Sequence, residues 1–466
     1  MGYTITESAV QRAFKCFQEK KLAKAEKILG RELKKAPNDP DVLHLLGLIN
    51  SERGDTLKAL RLLKQAVSAD EGKLHIKSNY ATVLRQAGYV EESIGILKEV
   101  VRARPDSPQI INNLANALRL VGKLEEAIEY YRRALALLPT SAEIVNNLGS
   151  ALKDLGDYKG ALTCLNSALN IDPNNADIYN NLGVVCRCLN DSSHATSAFQ
   201  AAVRIDPGFV LAQNNLGCAL MAGGDRDGAI NAFKNVLAVE PDNAEATHLL
   251  KALTQGSSDR APDQYVADLF DEYAPTFEDS LVQKLEYKTP GKIREAVDAV
   301  MPQEGMFGNV LDLGCGTGLC GFEFKGISKK LFGVDLSPKM VEEASSKEVY
   351  DELHVGPIES YLEKCRVRFD LFIAADVFVY IGKLDQVFKA IAMTANDDAL
   401  VVFSTELLGG AGIYKLLKTG RFAHSLPYVN SLAEENGFEA VSKFKTPLRK
   451  ENNKWIEGMI YIFRLK

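Results

Sequence analysis

The run VLDLGCGTG, Val310 to Gly318, puts an apolar strand-like segment directly ahead of a glycine turn and a helix-like segment. Asp335 follows at the end of a second apolar run, KLFGVDLS, 21 residues after Gly314. Such a βαβ unit lets a ligand approach bare backbone and a helix terminus while the acid hydrogen-bonds a ribose. The dinucleotide fingerprint GxGxxG would need glycine at 319, where Leu319 stands, and the third glycine is Gly318 instead. NAD is therefore the weaker reading of the turn.

Other residues able to do chemistry lie further along. In a parallel sheet the loops after the strands form the mouth, which nominates Asp376 and Tyr380 after the fourth strand and Glu406 after the fifth. The segment TGRFAHSLPYV adds His424 as a base working near neutral pH, Arg421 as a carboxylate anchor and Tyr428 as substrate wall. A hydrogen-bonded structural histidine is the alternative for His424. Cys186, Cys188 and His194 suggest no metal site, because helix residues two apart face different ways.

The hydrophobic-Asp-hydrophobic-Gly-Cys-Gly-Thr-Gly run resembles motif I of the class I S-adenosylmethionine-dependent methyltransferases. The resemblance covers about 200 residues and implies a Rossmann-like α/β domain with a seven-stranded, mostly parallel sheet. It implies that Gly314, Cys315, Gly316 and Gly318 pack against the methionine part of S-adenosylmethionine, that Asp312 contacts its amino group, and that Asp335, with Leu336 beside it, grips the ribose. Where family members often carry an acid after the third strand, Pro357 and Ile358 stand here, so Ile358 is expected on the adenine face with Glu359 or a carbonyl as polar partner. FDEYAPTFED, residues 270–279, resembles a helical lid in which Tyr273 or Phe277 closes over the cofactor or packs the lid on the sheet. Neither an Asn/Asp-Pro-Pro-Tyr signature nor a Pro-Cys pair is present, which argues against base-amine and cytosine C5 methylation.

Ahead of this domain, prolines at 37, 105, 139, 173, 207 and 241 are spaced by multiples of 34, with Glu71 filling the gap. Gly47, Gly149, Gly183 and Gly217 keep the same phase, as do the turn glycines 54, 88, 122, 156 and 224. The pattern resembles the tetratricopeptide repeat, a helix-turn-helix unit that buries its apolar stripes against its neighbours. Seven units and a capping helix are expected over 6–254, a linker over 255–262, and the methyltransferase-like domain over 263–466, its lid at 263–302 and its core at 308–466. The whole resembles a family of predicted methyltransferases that carry tetratricopeptide repeats.

Polar columns mark the first helices of the repeats: Asn79, Asn113, Asn147, Asn181 and Asn215, with Arg119 and Lys153 alongside. In the repeat family such positions line a concave groove, which implies an extended protein or peptide partner, and the cations point to an acidic one. A solvated helix face is the bland alternative.

Composition excludes several classes. With 46% hydrophobic and 25% charged residues the chain is an ordinary globular one. Its longest apolar stretch, LFIAADVFVYIG, contains Asp376 and falls short of the roughly 20 residues that span a bilayer. The charges sum to +1 up to residue 255 and −7 beyond it, so neither nucleic acid nor membrane is an expected partner. Eight cysteines, too sparse for a disulfide scaffold, and an N-terminus without a signal-peptide core predict a cytoplasmic protein. The opening MGYTIT matches a myristoylation pattern only formally, since bulky Tyr3 follows Gly2. The leading expectation is a methyltransferase acting on a small molecule or protein, its repeats recruiting a partner; the rival is a non-catalytic adaptor that merely binds the cofactor.

Overall fold

A computed structural model of the chain describes residues 8–274, 277–278, 287–301, 305–410, 412–451 and 454–466. The MGYTIT opening and part of the expected lid lie outside these residues. Two compact units form, 1–212 and 213–466.

The first unit is built from the helix pairs α1 (Ala9–Gln18) and α2 (Leu22–Lys35), α3 (Pro40–Glu52) and α4 (Thr56–Ala69), α5 (Leu74–Gln86) and α6 (Val90–Ala103). It continues with α7 (Pro108–Leu120) and α8 (Leu124–Leu137), α9 (Ala142–Asp154) and α10 (Tyr158–Ile171), and α11 (Ala176–Cys188) and α12 (Ser192–Ile205). The 34-residue phase has a packing cause. A Cβ on Gly183 would lie 2.5 Å from the Phe199 ring, and one on Gly149 would lie 3.1 Å from Leu165. Sixteen residues after each small position on a first helix, a large side chain of the second helix fills its place; Ala115 with Tyr131 keeps the same offset. Asn190, at φ +60°, occupies the turn slot that glycine holds in neighbouring repeats, which asparagine tolerates better than other side chains.

The polar columns connect one repeat to the next. Asn147 Nδ2 donates to Asn112 Oδ1 at 3.1 Å, Asn181 Nδ2 to Asn146 Oδ1 at 2.9 Å, and Asn112 Nδ2 to Glu143 Oε1 at 3.0 Å. Asn79 meets His44 at 2.8 Å. Arg119 Nε donates to Asp154 at 2.8 Å, and Lys153 pairs with the same carboxylate at 3.0 Å. Side chains expected to wait for a partner are thus engaged within the solenoid, and the two cations already share an acid. Asn113 differs, because its side chain makes no hydrogen bond among the described residues.

The second unit begins within α13 (Val210–Ala222) and includes α14 (Arg226–Val239) and α15 (Ala244–Thr254). The 255–262 segment, read from its composition as a linker, is instead strapped down. The carbonyl of Asp259 accepts from the amides of Gly382 and Lys383, both at 2.8 Å, and Ala261 N donates to Tyr380 O at 2.9 Å. His248 of α15 donates through Nε2 to Gly420 O at 2.8 Å.

Helices α16 (Asp263–Tyr273) and α17 (Thr289–Asp298) lead into an alternating α/β series. Its elements are β1 (Phe307–Leu313), α18 (Leu319–Phe324), β2 (Ser328–Asp335), α19 (Pro338–Ser346), β3 (Glu352–Val355), α20 (Ile358–Lys364) and β4 (Phe369–Ala374). Then follow α21 (Asp385–Thr394), β5 (Ala395–Leu407), β6 (Tyr414–Leu416), β7 (Phe422–His424), α22 (Leu426–Glu435), β8 (Phe438–Glu451) and β9 (Lys454–Leu465). Strands β3-β2-β1-β4-β5 are parallel, β9 runs antiparallel to β5, and β8 pairs with β9. The expected seven-stranded sheet has nine strands, since the excursion after β5 folds into the β6–β7 hairpin and β7 joins the end of β5. Alternate residues bury opposite faces, Leu311, Leu313 and Phe372 on one side and Val310, Leu371 and Ile373 on the other. Helices on both faces explain why these strands read as continuous apolar runs. Strand order reverses between β1 and β4, and the crevice beyond their C-terminal ends is where such sheets bind ligands.

The ladder predicts an asymmetry between neighbouring asparagines. Asn112→Ala should cost about 1–3 kcal/mol, because it leaves Asn147 and Glu143 without their partner. Asn113→Ala should stay within about 0.5 kcal/mol. Urea unfolding of the full chain followed by circular dichroism makes the comparison, and equal losses would refute a structural ladder.

Candidate functional site

β1 runs into a turn that ordinary side chains resist. Gly314, Gly316 and Gly318 have φ of +70°, +52° and +95°. A Cβ on Gly314 would stand 2.5 Å from Val377, and one on Gly318 would stand 3.2 Å from Tyr350. The amides of Gly314 and Cys315 donate to Val334 O at 2.7 and 3.1 Å. Gly316 N donates to Asp335 Oδ2 and Ser337 N to Asp335 Oδ1, both at 2.9 Å. Asp335 therefore ties the turn to β2, its oxygens keeping further lone pairs for a ligand. Burial raises its pKa, and the backbone amides oppose that rise. Cys315 is buried against the Gly333 backbone, and Leu336 is half-buried beside the acid.

Asp312 is 1% exposed. Its Oδ2 accepts from the Tyr350 hydroxyl at 2.7 Å, while Oδ1 is buried with no partner among the described residues. Burial pushes its pKa up to about 7; the Tyr350 hydrogen bond opposes this and the Asp335 charge adds to it. Over the turn, the Phe270 ring lies 5.9 Å from Phe277 and 5.5 Å from Tyr380, and Phe277 comes within 3.8 Å of where a Gly316 Cβ would be. Glu278 accepts from the Thr317 hydroxyl at 2.7 Å and pairs with Lys347, fastening this cover to the turn. Tyr273, at 48% exposure, lies at the end of α16, so Phe277 is the lid aromatic that meets the turn. Ile358 is 7% exposed and belongs to the core cluster with Leu313 and Phe332. Glu359 Oε1 accepts from Arg260 at 3.2 Å, and its Oε2 is buried without a partner among the described residues.

Across the crevice, Asp376 follows β4 at φ +58°. Its amide donates to Ser404 Oγ and the Ser404 hydroxyl donates to its Oδ1, both at 2.8 Å. Arg449 of β8 joins Asp376 Oδ2, at 3.1 Å, to Glu406 of β5. Burial raises the Glu406 pKa against the pull of Arg449 and Arg421.

This arrangement fits S-adenosylmethionine: a turn built on three left-handed glycines, an orphaned buried acceptor that could meet an ammonium group, an acid at the end of β2 with open lone pairs, and an aromatic cover. Residues 307–457 match a family model described as a methyltransferase domain, and models of the tetratricopeptide repeat match 51–117, 115–156, 149–186, 176–209 and 214–266. The chain joins a tetratricopeptide-repeat region to a class I methyltransferase domain. No curated protein matches it. Among solved structures it is similar to the APC/C hetero-tetramer Cut9-Hcn1, with 17% identity over 52% of this chain and 48% of that one and a TM-score of 0.46. A tetratricopeptide repeat protein from Parabacteroides merdae shows 16% identity, coverage of 53% and 97%, and a TM-score of 0.46. MamA shows 30% identity, coverage of 35% and 95%, and a TM-score of 0.31.

Two acceptor-side expectations need correction in this methyltransferase. His424 is fully buried in β7, and its Nε2 donates to Ile381 O at 2.9 Å and Gly382 O at 3.0 Å. Burial lowers its pKa to about 4, while the carbonyls work in the opposite direction. With one ring nitrogen so engaged and the other enclosed, His424 braces the backbone after β4 and does not serve as a base. The Tyr428 hydroxyl donates to Asp385 at 3.0 Å, accepts from Leu384 N at 2.9 Å, and its ring stacks on His424, so it pins the start of α21. Arg421 acts electrostatically on Glu406 and Arg449, within the same charge cluster. Sequence reasoning missed Tyr350 and Arg449, which lie 38 and 73 residues from the acids they meet, with no motif around either.

The methyltransferase should bind S-adenosylhomocysteine in a pH-dependent way through Asp312. An ammonium group favours the carboxylate, whereas below pH about 7 the free protein holds that group protonated. Affinity should fall toward a limit of about tenfold per pH unit below 7, and Asp312→Asn should flatten the dependence. Calorimetry between pH 5.5 and 8 tests this, on the order of one proton being released per ligand on the acid side; a flat wild-type profile would refute it.

His424 carries a separate expectation. Its folded pKa lies below the ordinary 6.5, so the stability that neutral His424 supplies is complete above that value and is lost as pH falls toward 4. His424→Gln should therefore lessen the acid-side loss of melting temperature, and an unchanged acid-side slope would count against the enclosed, neutral imidazole.

Proposed function

We propose that the domain methylates an acceptor brought to it by a protein partner held on the repeats. The reading is carried by one observation above all: the buried Oδ1 of Asp312, unpartnered among the described residues, beside a turn built on three left-handed glycines. S-adenosylmethionine supplies a sulfonium-bound methyl group there. Asp312 orients its amino group, Asp335 the ribose, and Phe277 with Glu278 excludes water from above. The acceptor enters from the side of Asp376 and Tyr380. Positioning supplies much of the acceleration, and a nearby carboxylate can take a proton where the acceptor releases one.

Partner binding on the repeats draws on residues outside the ladder, with Asn113 the member of the column that has its full hydrogen-bonding capacity. The ladder itself supports a rigid groove. All eight cysteines are unpaired thiols, which suits a reducing, cytoplasmic setting. No helix among the described residues is long and apolar enough to cross a membrane.

The test is transfer of labelled methyl from S-adenosylmethionine in cell extract, followed by separation of the product by size. Label in a protein band or a small molecule, lost with Asp335→Ala, is the expected result. Tight cofactor binding with no transfer to any fraction would favour an adaptor.

A further inference from the structure

Three features converge on the end of β4. Asp376 adopts a left-handed backbone conformation, at φ +58°, that a non-glycine residue holds only when its surroundings enforce it. Ser404 enforces it from β5, through both the Asp376 amide and its Oδ1. The strand β8 shifts register between Pro447 and Arg449, and such a bulge re-aims a side chain. Here the re-aimed side chain is Arg449, whose fork spans Asp376 and Glu406.

The exposures order the three groups. Side-chain exposure is 13% for Asp376 against 7% for Glu406 and 6% for Arg449, so Asp376 is the outward member and the other two back it. The next residue, Val377, closes on Gly314, which seats Asp376 beside the cofactor turn. A simple structural ion pair would need neither the second acid nor the left-handed carboxylate.

We propose that Arg449 is a positioning residue that presents the Asp376 carboxylate to the methyl-transfer position, and that the acceptor is an N–H or O–H nucleophile. This rests on the methyltransferase reading. The acceptor's lone pair forms the new bond to carbon, the carbon–sulfur bond breaks with its electron pair passing to sulfur, and the acceptor's proton passes to Asp376. Sulfur is left as a neutral thioether.

Sinefungin, which carries an amine where the sulfonium methyl would be, reads this carboxylate without knowledge of the acceptor. Calorimetry on the full chain should find sinefungin bound about tenfold more tightly than S-adenosylhomocysteine, as a charge-assisted contact requires. Asp376→Asn should abolish that preference while S-adenosylhomocysteine affinity stays within about twofold. Arg449→Lys should also lose it, since an ammonium cannot span two carboxylates as the planar fork does. If Arg449→Lys does not fold, the charge-balanced Glu406→Gln/Arg449→Met variant carries the same expectation. Equal affinities in the wild type, or equal loss of both ligands in Asp376→Asn, would overturn the proposal. No binding of either ligand by the wild type would instead strike at the cofactor reading.

Discussion

The amides of Gly314, Cys315 and Gly316 all point at the end of the neighbouring strand, two onto the carbonyl of Val334 and one onto the Asp335 carboxylate. That inward turn of the backbone is the constraint on which the crevice depends. It requires left-handed glycines, because Val377 and Tyr350 occupy the space where side chains would project. It leaves Asp312 at the end of β1 with one oxygen satisfied by Tyr350 and the other unmet. It also lets the aromatic cover sit close over the turn, with Phe277 3.8 Å from where a Cβ at 316 would be.

Periodic features were legible in the sequence because they arise from local or regularly repeated contacts. The 34-residue phase follows from a small residue on one helix meeting a large one sixteen positions later, so spacing alone locates the repeats. β1 to β5 were legible because apolar runs alternate with helical stretches, and the glycine turn because most side chains resist its left-handed backbone. Pairings between distant segments were not. The three-residue strands β6 and β7 carry no periodic signal, which left His424 looking like an accessible base when it is a buried strand residue. Polar composition likewise made 255–262 look like a linker, although its backbone groups pair with 380–383.

The asparagine columns show how one pattern supports two readings. An amide that can donate and accept suits either an incoming peptide or the next repeat. The offset decides between them. Asn112 and Asn147, like Arg119 and Asp154, are 35 residues apart, one more than the repeat, so each bond joins a position to the one adjacent to its equivalent in the next unit. A solenoid whose units contact only their neighbours gains order from such links. Side chains in the ladder are costly to redirect toward a partner, because a buried donor or acceptor left unmade costs about 1–3 kcal/mol.

The crevice handles its buried acids in two physically different ways. Asp312 has no cation among its polar contacts, so burial pushes it toward the protonated form and an incoming ammonium group would restore its charge. Asp376 and Glu406 share the Arg449 guanidinium, which sets a cation between the two carboxyl groups before any ligand arrives. The first acid therefore keeps an acceptor open, while the second pair is organised in advance. Preorganisation matters most where charge changes during reaction, since groups already fixed need not reorient as it does. The two ends of the crevice thus differ in how their charge is held, the β1 acid with an open acceptor and the β4 acid braced before anything binds.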